Sequence, residues 1–265
     1  MVFGRERLTP YLVPDSVPNS GIAAIVCPGG SYSWLDMPIE GIGVAQWLNE
    51  NGINAYVLEF RVATVSAYIF GFRVLGLGNK WPDPLEDVLD ALRYVYDHAD
   101  QDGIDTAKIG VIGFSAGGHL TMSSYCYNPY FRESASPSLR PKFLAPIYPV
   151  VTMSSASLAH SRSRRGALGV WRQWNKQLQD SLSIEKHIRP DCPPVFLVCC
   201  KDDPTVRYEN SLLLDSALTA NHVSHRFLLF ETGGHGFGAS DTKGSPESRT
   251  WKPLFLSWLH DLFNQ

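Results

Sequence analysis

The stretch KIGVIGFSAGGHL, residues 108–120, decides the fold, because an apolar run in it ends abruptly at a serine held between glycines. Residues 108–114 have the apolar character and the length of a buried strand, and residues 116–127 have the pattern of a helix. Gly113 and Gly117 leave room for a tight turn that forces the backbone of Ser115 into a strained conformation. Two explanations are open: a turn that needs small residues, or a nucleophile held on an elbow.

The alternation of strand and helix continues along the whole chain. Short apolar runs alternate with longer segments in which apolar residues recur at helical spacing. This order predicts an α/β fold with a mostly parallel central sheet and helices on both faces. Strands buried on both sides should be apolar throughout, as these are. The predicted strands are 21–30, 53–60, 108–114, 143–150, 193–200 and 225–230, and the predicted helices are 40–52, 83–99, 116–127 and 249–263.

Two segments interrupt this alternation. Residues 61–82 are apolar and glycine-rich without any period, and residues 152–191 are polar and basic with two tryptophans. Long segments of this kind are often functional. A chain of 265 residues is long for one domain and short for two. We expect a single domain over residues 1–265, in which both insertions shape the pocket.

The charge balance argues against nucleic acid and membrane partners. The chain has 23 basic and 26 acidic residues, a net charge of −3 and no long basic run. No apolar segment approaches membrane-spanning length, and residues 1–16 lack the apolar core of a signal peptide. We therefore expect a cytoplasmic protein, with secretion left open if a leader has been removed. A homo-oligomer is also left open.

The five cysteines indicate a reduced compartment. Their number is odd, and Cys27, Cys199 and Cys200 lie in or beside strand-like runs, where buried free thiols are the ordinary state. Cys199 and Cys200 are neighbours, so in a strand they point to opposite faces, which argues against a shared metal. His222 and His225 have metal-like spacing but no third ligand nearby. We expect neither a metal nor an organic cofactor.

A serine nucleophile needs a base, and His235 is the best candidate among the eight histidines. It lies in the glycine-rich segment ETGGHGFG, residues 231–238, directly after a predicted strand. Glycines on both sides let the backbone bring the imidazole to a cleft. His119 is closer to Ser115 in sequence, but it lies one turn along the elbow helix and is better explained as a packing group.

The acid that should orient this imidazole follows the predicted strand 193–200. Asp202 and Asp203 both lie there, and Asp203 is preferred because it stands three residues before Val206 in the pattern D-x-x-V. Asp202 is the alternative. The order of serine, aspartate and histidine along the chain is that of the α/β-hydrolase triad.

Backbone N–H groups that could hold an oxyanion are predicted at two places. The helix that begins near Ala116 directs its N–H groups and its dipole toward Ser115. The segment CPGGSY, residues 27–32, follows the first clear strand, where a second set of donors belongs. We expect the N–H of Gly30 or Ser31 to converge with that of Ala116, although a plain Pro-Gly-Gly turn is the simpler alternative.

Together these motifs resemble the α/β-hydrolase esterases related to hormone-sensitive lipase, and especially their bacterial carbohydrate acetylesterase-like branch. Ser31 departs from the third glycine of the family's loop, Arg207 stands where proline is usual, and residues 64–80 are longer and more apolar than expected. The resemblance covers roughly residues 22–264. It is carried by PGGSY, EGIGVAQWLNENGINAYVLEFRV, PDPLEDVLDALRYV, KIGVIGFSAGGHL, HSRSRRGALG, PPVFLVCCKDDPTVRYENSLLLDSAL and GGHGFG, in that order.

The resemblance implies that Ser115, His235 and Asp203 hydrolyse small acyl esters, such as acetyl groups on xylan, through an acyl-enzyme. The expected partner is a small-molecule or oligosaccharide ester. A feruloyl esterase, a lipase-like carboxylesterase, a peptidase and a non-catalytic hydrolase-fold protein are the alternatives. Aromatic rings in loops suit sugar faces, but they would also suit a longer acyl chain or a cinnamoyl group. The candidate substrate-binding residues are Tyr32, Trp34, His160 and Trp171.

Overall fold

The structure is a computed structural model, and it describes residues 2–3, 6–63, 78–129 and 139–263. Eight strands of this described part form one sheet in the order β1-β2-β4-β3-β5-β6-β7-β8. The first two strands pair antiparallel, and the other six run parallel to one another. The strands are β1 Val2–Phe3, β2 Glu6–Tyr11, β3 Ala23–Cys27, β4 Asn54–Glu59, β5 Ile109–Phe114, β6 Leu144–Ile147, β7 Val195–Cys200 and β8 His225–Phe230.

Helices connect the parallel strands, as a parallel sheet requires. A π-helical turn, Met37–Ile42, leads directly into the first α-helix, and short 3₁₀ turns lie at Thr106–Lys108, Ile184–Lys186 and Ser248–Thr250. The α-helices of the described residues are α1 Gly43–Glu50, α2 Asp83–His98, α3 Ala116–Cys126, α4 Ser161–Arg172, α5 Lys176–Ser181, α6 Glu209–Ala220 and α7 Trp251–Phe263.

Two hydrophobic clusters cover the two faces of the sheet. Strand β3 shows the division, because Ile25 belongs to one cluster while its neighbours Ala24 and Val26 belong to the other. Alternate residues of a strand point to opposite faces, so each face receives half of its side chains. Apolar residues of α2, α3 and α6 lie in the first cluster, and those of α1 and α7 lie in the second. The predicted fold class, a mostly parallel sheet with helices on both faces, is therefore confirmed.

Each of the six predicted strands overlaps one of the parallel strands β3 to β8, whereas β1 and β2 were not predicted. Strand β2 pairs antiparallel with β1 on one edge and with β4 on the other, and antiparallel strands can face water on one side, so the exposed Arg7 is tolerated beside the buried Leu8. The predicted insertion 152–191 holds α4, α5 and a 3₁₀ turn. Of the predicted insertion 61–82, residues 64–77 lie outside the described residues.

All five cysteines are buried and free, as the sequence predicts. Burial raises the pKa of the Cys27 thiol far above its usual range, so the thiol stays protonated. None of the helices in the described residues combines the length and apolarity that a membrane crossing demands.

Candidate active site

Ser115 stands on a sharp turn between β5 and α3. Its backbone has φ 54° and ψ −115°, a strained conformation for a residue with a side chain. The turn is fixed to the end of β6 and to the segment after it, because the Ser115 N–H donates to the Ile147 carbonyl over 3.0 Å and its carbonyl accepts from the Val150 N–H over 3.1 Å. The strain is therefore held by strand pairing on one side and by the helix start on the other.

The two glycines around Ser115 are required by close backbone approach. A Cβ on Gly113 would overlap the carbonyl of Gly117 and the hydroxyl of Thr121. A Cβ on Gly117 would overlap the carbonyl of Cys27, at the end of β3, and lie 2.5 Å from that of Pro28. The elbow thus packs directly on the end of the neighbouring strand, and only hydrogen fits at these positions.

His235 links the serine to an aspartate. Its Nε2 lies 2.9 Å from Ser115 Oγ, and its Nδ1 lies 2.6 Å from Asp203 Oδ2. A carboxylate only accepts, so Nδ1 carries the proton and Nε2 is left to accept from the serine hydroxyl. The other oxygen of Asp203 accepts from the N–H groups of Thr205 and Val206, over 2.7 and 2.9 Å. The D-x-x-V pattern in the sequence is this turn.

The structure separates the two candidate acids. Asp203 has a fully buried side chain and contacts the imidazole. Asp202 instead accepts from the N–H groups of Gly233 and Gly234, over 3.2 and 2.8 Å. Both glycines belong to the histidine loop, residues 231–238, so Asp202 fastens the backbone of the loop that carries His235.

The three predicted oxyanion donors lie around the same serine. Gly30 and Ser31 line one cavity with Ser115, and both have positive φ, 134° and 58°. A Cβ on Gly30 would overlap the Trp34 carbonyl, which explains glycine there. Ala116 is the first residue of α3, where the N–H has no partner within the helix.

Tyr32 is turned away from the cavity. It is 1% exposed, and its hydroxyl donates to His119 Nδ1 over 2.7 Å. His119 Nε2 in turn donates to the Leu182 carbonyl over 2.8 Å. Burial lowers the pKa of His119 to about 4, so the ring is neutral and can hold both bonds. His119 therefore fixes the PGGSY loop, residues 28–32, to the elbow helix and contacts Tyr32 rather than the serine.

Glu40 is a site residue that the sequence patterns did not single out. It lies in the π-helical turn, is 3% exposed, and lines the same cavity. Its carboxylate accepts from the Gly29 N–H over 2.7 Å and from the Tyr148 hydroxyl over 2.8 Å. Burial is the largest effect on its pKa, which is raised to about 7. The only sequence signal is the EG pair at residues 40–41, and this pair does not predict that the glutamate is buried.

The cavity above Ser115 is small, and both polar and apolar groups line it. Within the described part of the chain its volume is about 190 Å³. Trp34 stands at its mouth and is 46% exposed. The lining residues are Gly30, Ser31, Trp34, Asp36, Glu40, Ser115, Arg162, Thr205, His235 and Gly236.

His160 and Trp171, two predicted substrate contacts, do not line this cavity. His160 Nδ1 lies 2.8 Å from the Ser163 hydroxyl at the start of α4, and burial lowers its pKa to about 4. Trp171 is 77% exposed and lies beyond Gly169, whose φ of 80° kinks α4. No group of three or more metal-ligating side chains occurs among the residues that the structure describes.

Comparison with known proteins identifies the family. Residues 57–218 match the BD-FAE family. An acetylxylan esterase of Xylanibacter ruminicola is 30% identical over 263 residues, which cover 98% of this chain and 48% of that protein. Endo-1,4-beta-xylanase B of Butyrivibrio fibrisolvens is 30% identical over 238 residues, 87% of this chain and 34% of that protein. The chain thus spans half or less of the length of these relatives.

A solved structure extends the similarity to the fold. The acetyl ester-xyloside bifunctional hydrolase of Caldicellulosiruptor lactoaceticus is 31% identical, with a TM-score of 0.80, and the match covers 97% of this chain and 88% of that one. The family match alone takes in more than half of the chain, and the structural match takes in nearly all of it. This chain therefore belongs to the BD-FAE family and has the α/β-hydrolase fold.

Proposed function

We propose that this chain is a serine esterase that hydrolyses small acyl esters, in particular acetyl esters, on carbohydrates. The observation that carries the proposal is the hydrogen-bonded series from Asp203 through His235 to Ser115, with separations of 2.6 and 2.9 Å. These are the separations at which a base can take a proton from a nucleophile while an acid orients the base.

The first half of the reaction forms an acyl-enzyme. His235 Nε2 takes the proton of Ser115 Oγ as that oxygen attacks the ester carbonyl. Asp203 holds the imidazole in the correct tautomer and stabilises the imidazolium that forms. The negative charge that develops on the carbonyl oxygen is held by backbone N–H groups of Gly30, Ser31 and Ala116. His235 then gives its proton to the leaving alcohol, and the bond to the acyl carbon breaks.

The second half repeats the chemistry with water. His235 takes a proton from a water molecule as it attacks the acyl-enzyme, and the same N–H groups hold the second oxyanion. The proton on His235 then returns to Ser115 Oγ as the acid leaves. The chain's own residues supply every proton transfer in this sequence.

The cavity favours a small acyl group on a polar alcohol. Its volume of about 190 Å³ is below the ~300 Å³ at which sites for drug-sized ligands begin. Trp34 offers a flat ring at the mouth, and the charged groups of Asp36 and Arg162 line the cavity and suit sugar hydroxyls. Relatives named as an acetylxylan esterase and an acetyl ester-xyloside hydrolase support the same choice.

The test combines one variant with two substrates. Ser115→Ala should lower turnover of p-nitrophenyl acetate and of acetylated xylo-oligosaccharides by about 10⁴-fold or more. Ser124→Ala is the matched control, because Ser124 is a buried serine of the same helix whose hydroxyl donates to the Thr121 carbonyl. Equal turnover by the Ser115 variant and the unmodified chain would contradict an acyl-enzyme and favour a non-catalytic protein.

A further inference from the structure

We propose that Glu40 is a positioning residue, whose carboxylate holds the PGGSY loop and the histidine loop in register with each other. The inference deepens the proposed esterase function, on which its kinetic consequences rest. Glu40 does not belong to the hydrogen-bonded series of Ser115, His235 and Asp203, yet it lies against both segments that this series needs. Its role follows from three hydrogen bonds and from the chemistry of a buried carboxylate.

The hydrogen bonds form a continuous bridge between the two loops. One oxygen of Glu40, Oε2, accepts from the Gly29 N–H in the PGGSY loop over 2.7 Å. The other, Oε1, accepts from the Tyr148 hydroxyl over 2.8 Å. The Tyr148 oxygen itself accepts from the Gly238 N–H, at the end of the histidine loop, over 2.9 Å. A displacement of either loop therefore stretches the same short chain of bonds.

The bridge also lies close to the reacting groups. A Cβ on Gly29 would overlap Glu40 Oε2 and stand 3.0 Å from Ser115 Cβ, so glycine lets the carboxylate approach the elbow. The Tyr148 ring lies 4.6 Å from the His235 ring, centroid to centroid. Tyr148 has φ 37°, a left-handed conformation that directs its ring between the two loops. Glu40 can therefore influence the oxyanion donors and the base together.

An ionised carboxylate fits this position, and a neutral group does not. Gly29 and Tyr148 each present a donor, and both oxygens of an ionised carboxylate are acceptors. A proton on Oε2 would face the Gly29 N–H, and a proton on Oε1 would leave the Tyr148 proton without its acceptor. Protonation of Glu40, or an amide in its place, should therefore release one end of the bridge, because a buried donor without an acceptor is costly.

The surroundings of Glu40 place the protonation of its carboxylate in the neutral pH range. Burial raises the pKa of Glu40 to about 7, with a smaller upward effect of Asp36 on the preceding turn. The Tyr148 hydroxyl, the His235 imidazole and the Gly29 N–H oppose that rise. Arg162 of α4 lines the same cavity. As pH falls through about 7, Glu40 gains a proton and the bridge opens, so activity should fall.

The kinetic test uses Glu40→Gln, which keeps the shape and removes the second acceptor. We expect kcat for p-nitrophenyl acetate to fall about 10-fold to 100-fold, as for a small misplacement of catalytic groups, with KM changed less than about two-fold. For the unmodified chain, log kcat/KM should fall as the pH decreases through about 7, because Glu40 gains a proton. In Glu40→Gln this contribution is absent, so the slope of log kcat/KM against pH should be smaller around pH 7.

Two further variants separate positioning from loss of folding. Tyr148→Phe removes the hydroxyl and with it the bonds to Glu40 and to Gly238, and it should lower kcat in the same direction, by a smaller factor. Tyr56→Phe is the control, since Tyr56 is a fully buried tyrosine whose hydroxyl bonds to Asp102 rather than to either loop. It should leave kcat and the pH slope unchanged.

Amide hydrogen exchange gives a readout that does not depend on turnover. In Glu40→Gln, peptides from residues 28–34 and 231–238 should exchange about 10-fold faster or more than in the unmodified chain at pH 8, with other peptides unchanged. Unchanged exchange together with unchanged kcat would overturn the positioning role. An active Ser115→Ala variant would overturn the esterase proposal instead, and the exchange result would still decide the role of Glu40.

Discussion

The imidazole Nε2 of His235 lies 2.9 Å from the Ser115 hydroxyl, although 120 positions of sequence separate the two residues. The approach follows from the sheet. Strands β5, β7 and β8 run parallel, so their carboxyl ends meet at one edge, and the loop after each strand contributes one residue of the series. Asp203 follows β7 and completes it. Strand direction alone thus brings three distant positions to one place.

Substitution of the two neighbouring aspartates should have very different effects on kcat. Asp203→Asn should lower kcat for p-nitrophenyl acetate by about 10⁴-fold, because an amide nitrogen facing His235 Nδ1 favours the wrong tautomer. Asp202→Asn keeps an oxygen for the Gly234 N–H and should cost less than about 10-fold. A larger loss in Asp202→Asn than in Asp203→Asn would reverse the assignment of the acid.

Sequence patterns single out a candidate residue most readily where its context is set by what precedes it in the chain. Ser115 and His235 could be singled out because each follows a strand and lies among glycines. Asp202 and Asp203 could be ranked only by the short pattern D-x-x-V. Adjacent residues share the same sequence context and differ only in where their side chains point. The structure distinguishes them, because the Asp203 side chain contacts His235 and the Asp202 side chain accepts from the glycines of the histidine loop.

Glu40 and Tyr32 could not be interpreted from sequence for a different reason. A glutamate at the start of a helical pattern is usually solvated, and its burial here depends on the PGGSY loop and on Tyr148, which is distant in the chain. Tyr32 follows a glycine turn, where exposure is common. Its φ of 57° instead directs the ring inward against Phe60 and His119.

Acyl-chain length should discriminate strongly between substrates. The cavity of about 190 Å³ that the described residues form above Ser115 matches an acetyl group more closely than an octanoyl chain. We expect kcat/KM for p-nitrophenyl acetate to exceed that for p-nitrophenyl octanoate by about 10-fold or more. The measurement is a series of p-nitrophenyl esters of increasing chain length, with feruloyl methyl ester alongside. Preference for octanoate or for the feruloyl ester would contradict the sugar-acetate proposal.

Alanine should be tolerated very differently at two glycines of the site. Gly117→Ala places a methyl group against the backbone carbonyls of Cys27 and Pro28, which cannot move without disturbing β3. We expect it to lower the free energy of unfolding by about 3 kcal/mol.

Gly234→Ala is the matched comparison for this substitution. Its φ is 64°, and a Cβ there meets nothing within 4 Å, so only backbone strain of about 1 kcal/mol is expected. Urea unfolding of both variants measures the difference. Equal losses would show that the elbow does not require the close approach of α3 to β3.

The buried imidazole of His119 should lower the stability of the protein as the pH decreases from about 6.5 toward 4. Burial lowers the pKa of this imidazole to about 4 in the folded chain, against an ordinary value of 6.5. Above pH 6.5 the ring is neutral in both states, and its contribution is complete. Below that pH the unfolded chain binds a proton that the folded chain does not, so unfolding is favoured until the folded ring also titrates.

His119→Gln should change both the level and the slope of this dependence. At pH 7.5 the variant should lose about 1–3 kcal/mol, since Tyr32 and Leu182 lose well-aligned partners. Between pH 6.5 and 4 its free energy of unfolding should decline less steeply than that of the unmodified chain. A residual decline is expected, because burial also lowers the pKa of His160 to about 4. Urea unfolding at intervals of half a pH unit tests this, and parallel curves for the two proteins would exclude His119 as a source of acid sensitivity.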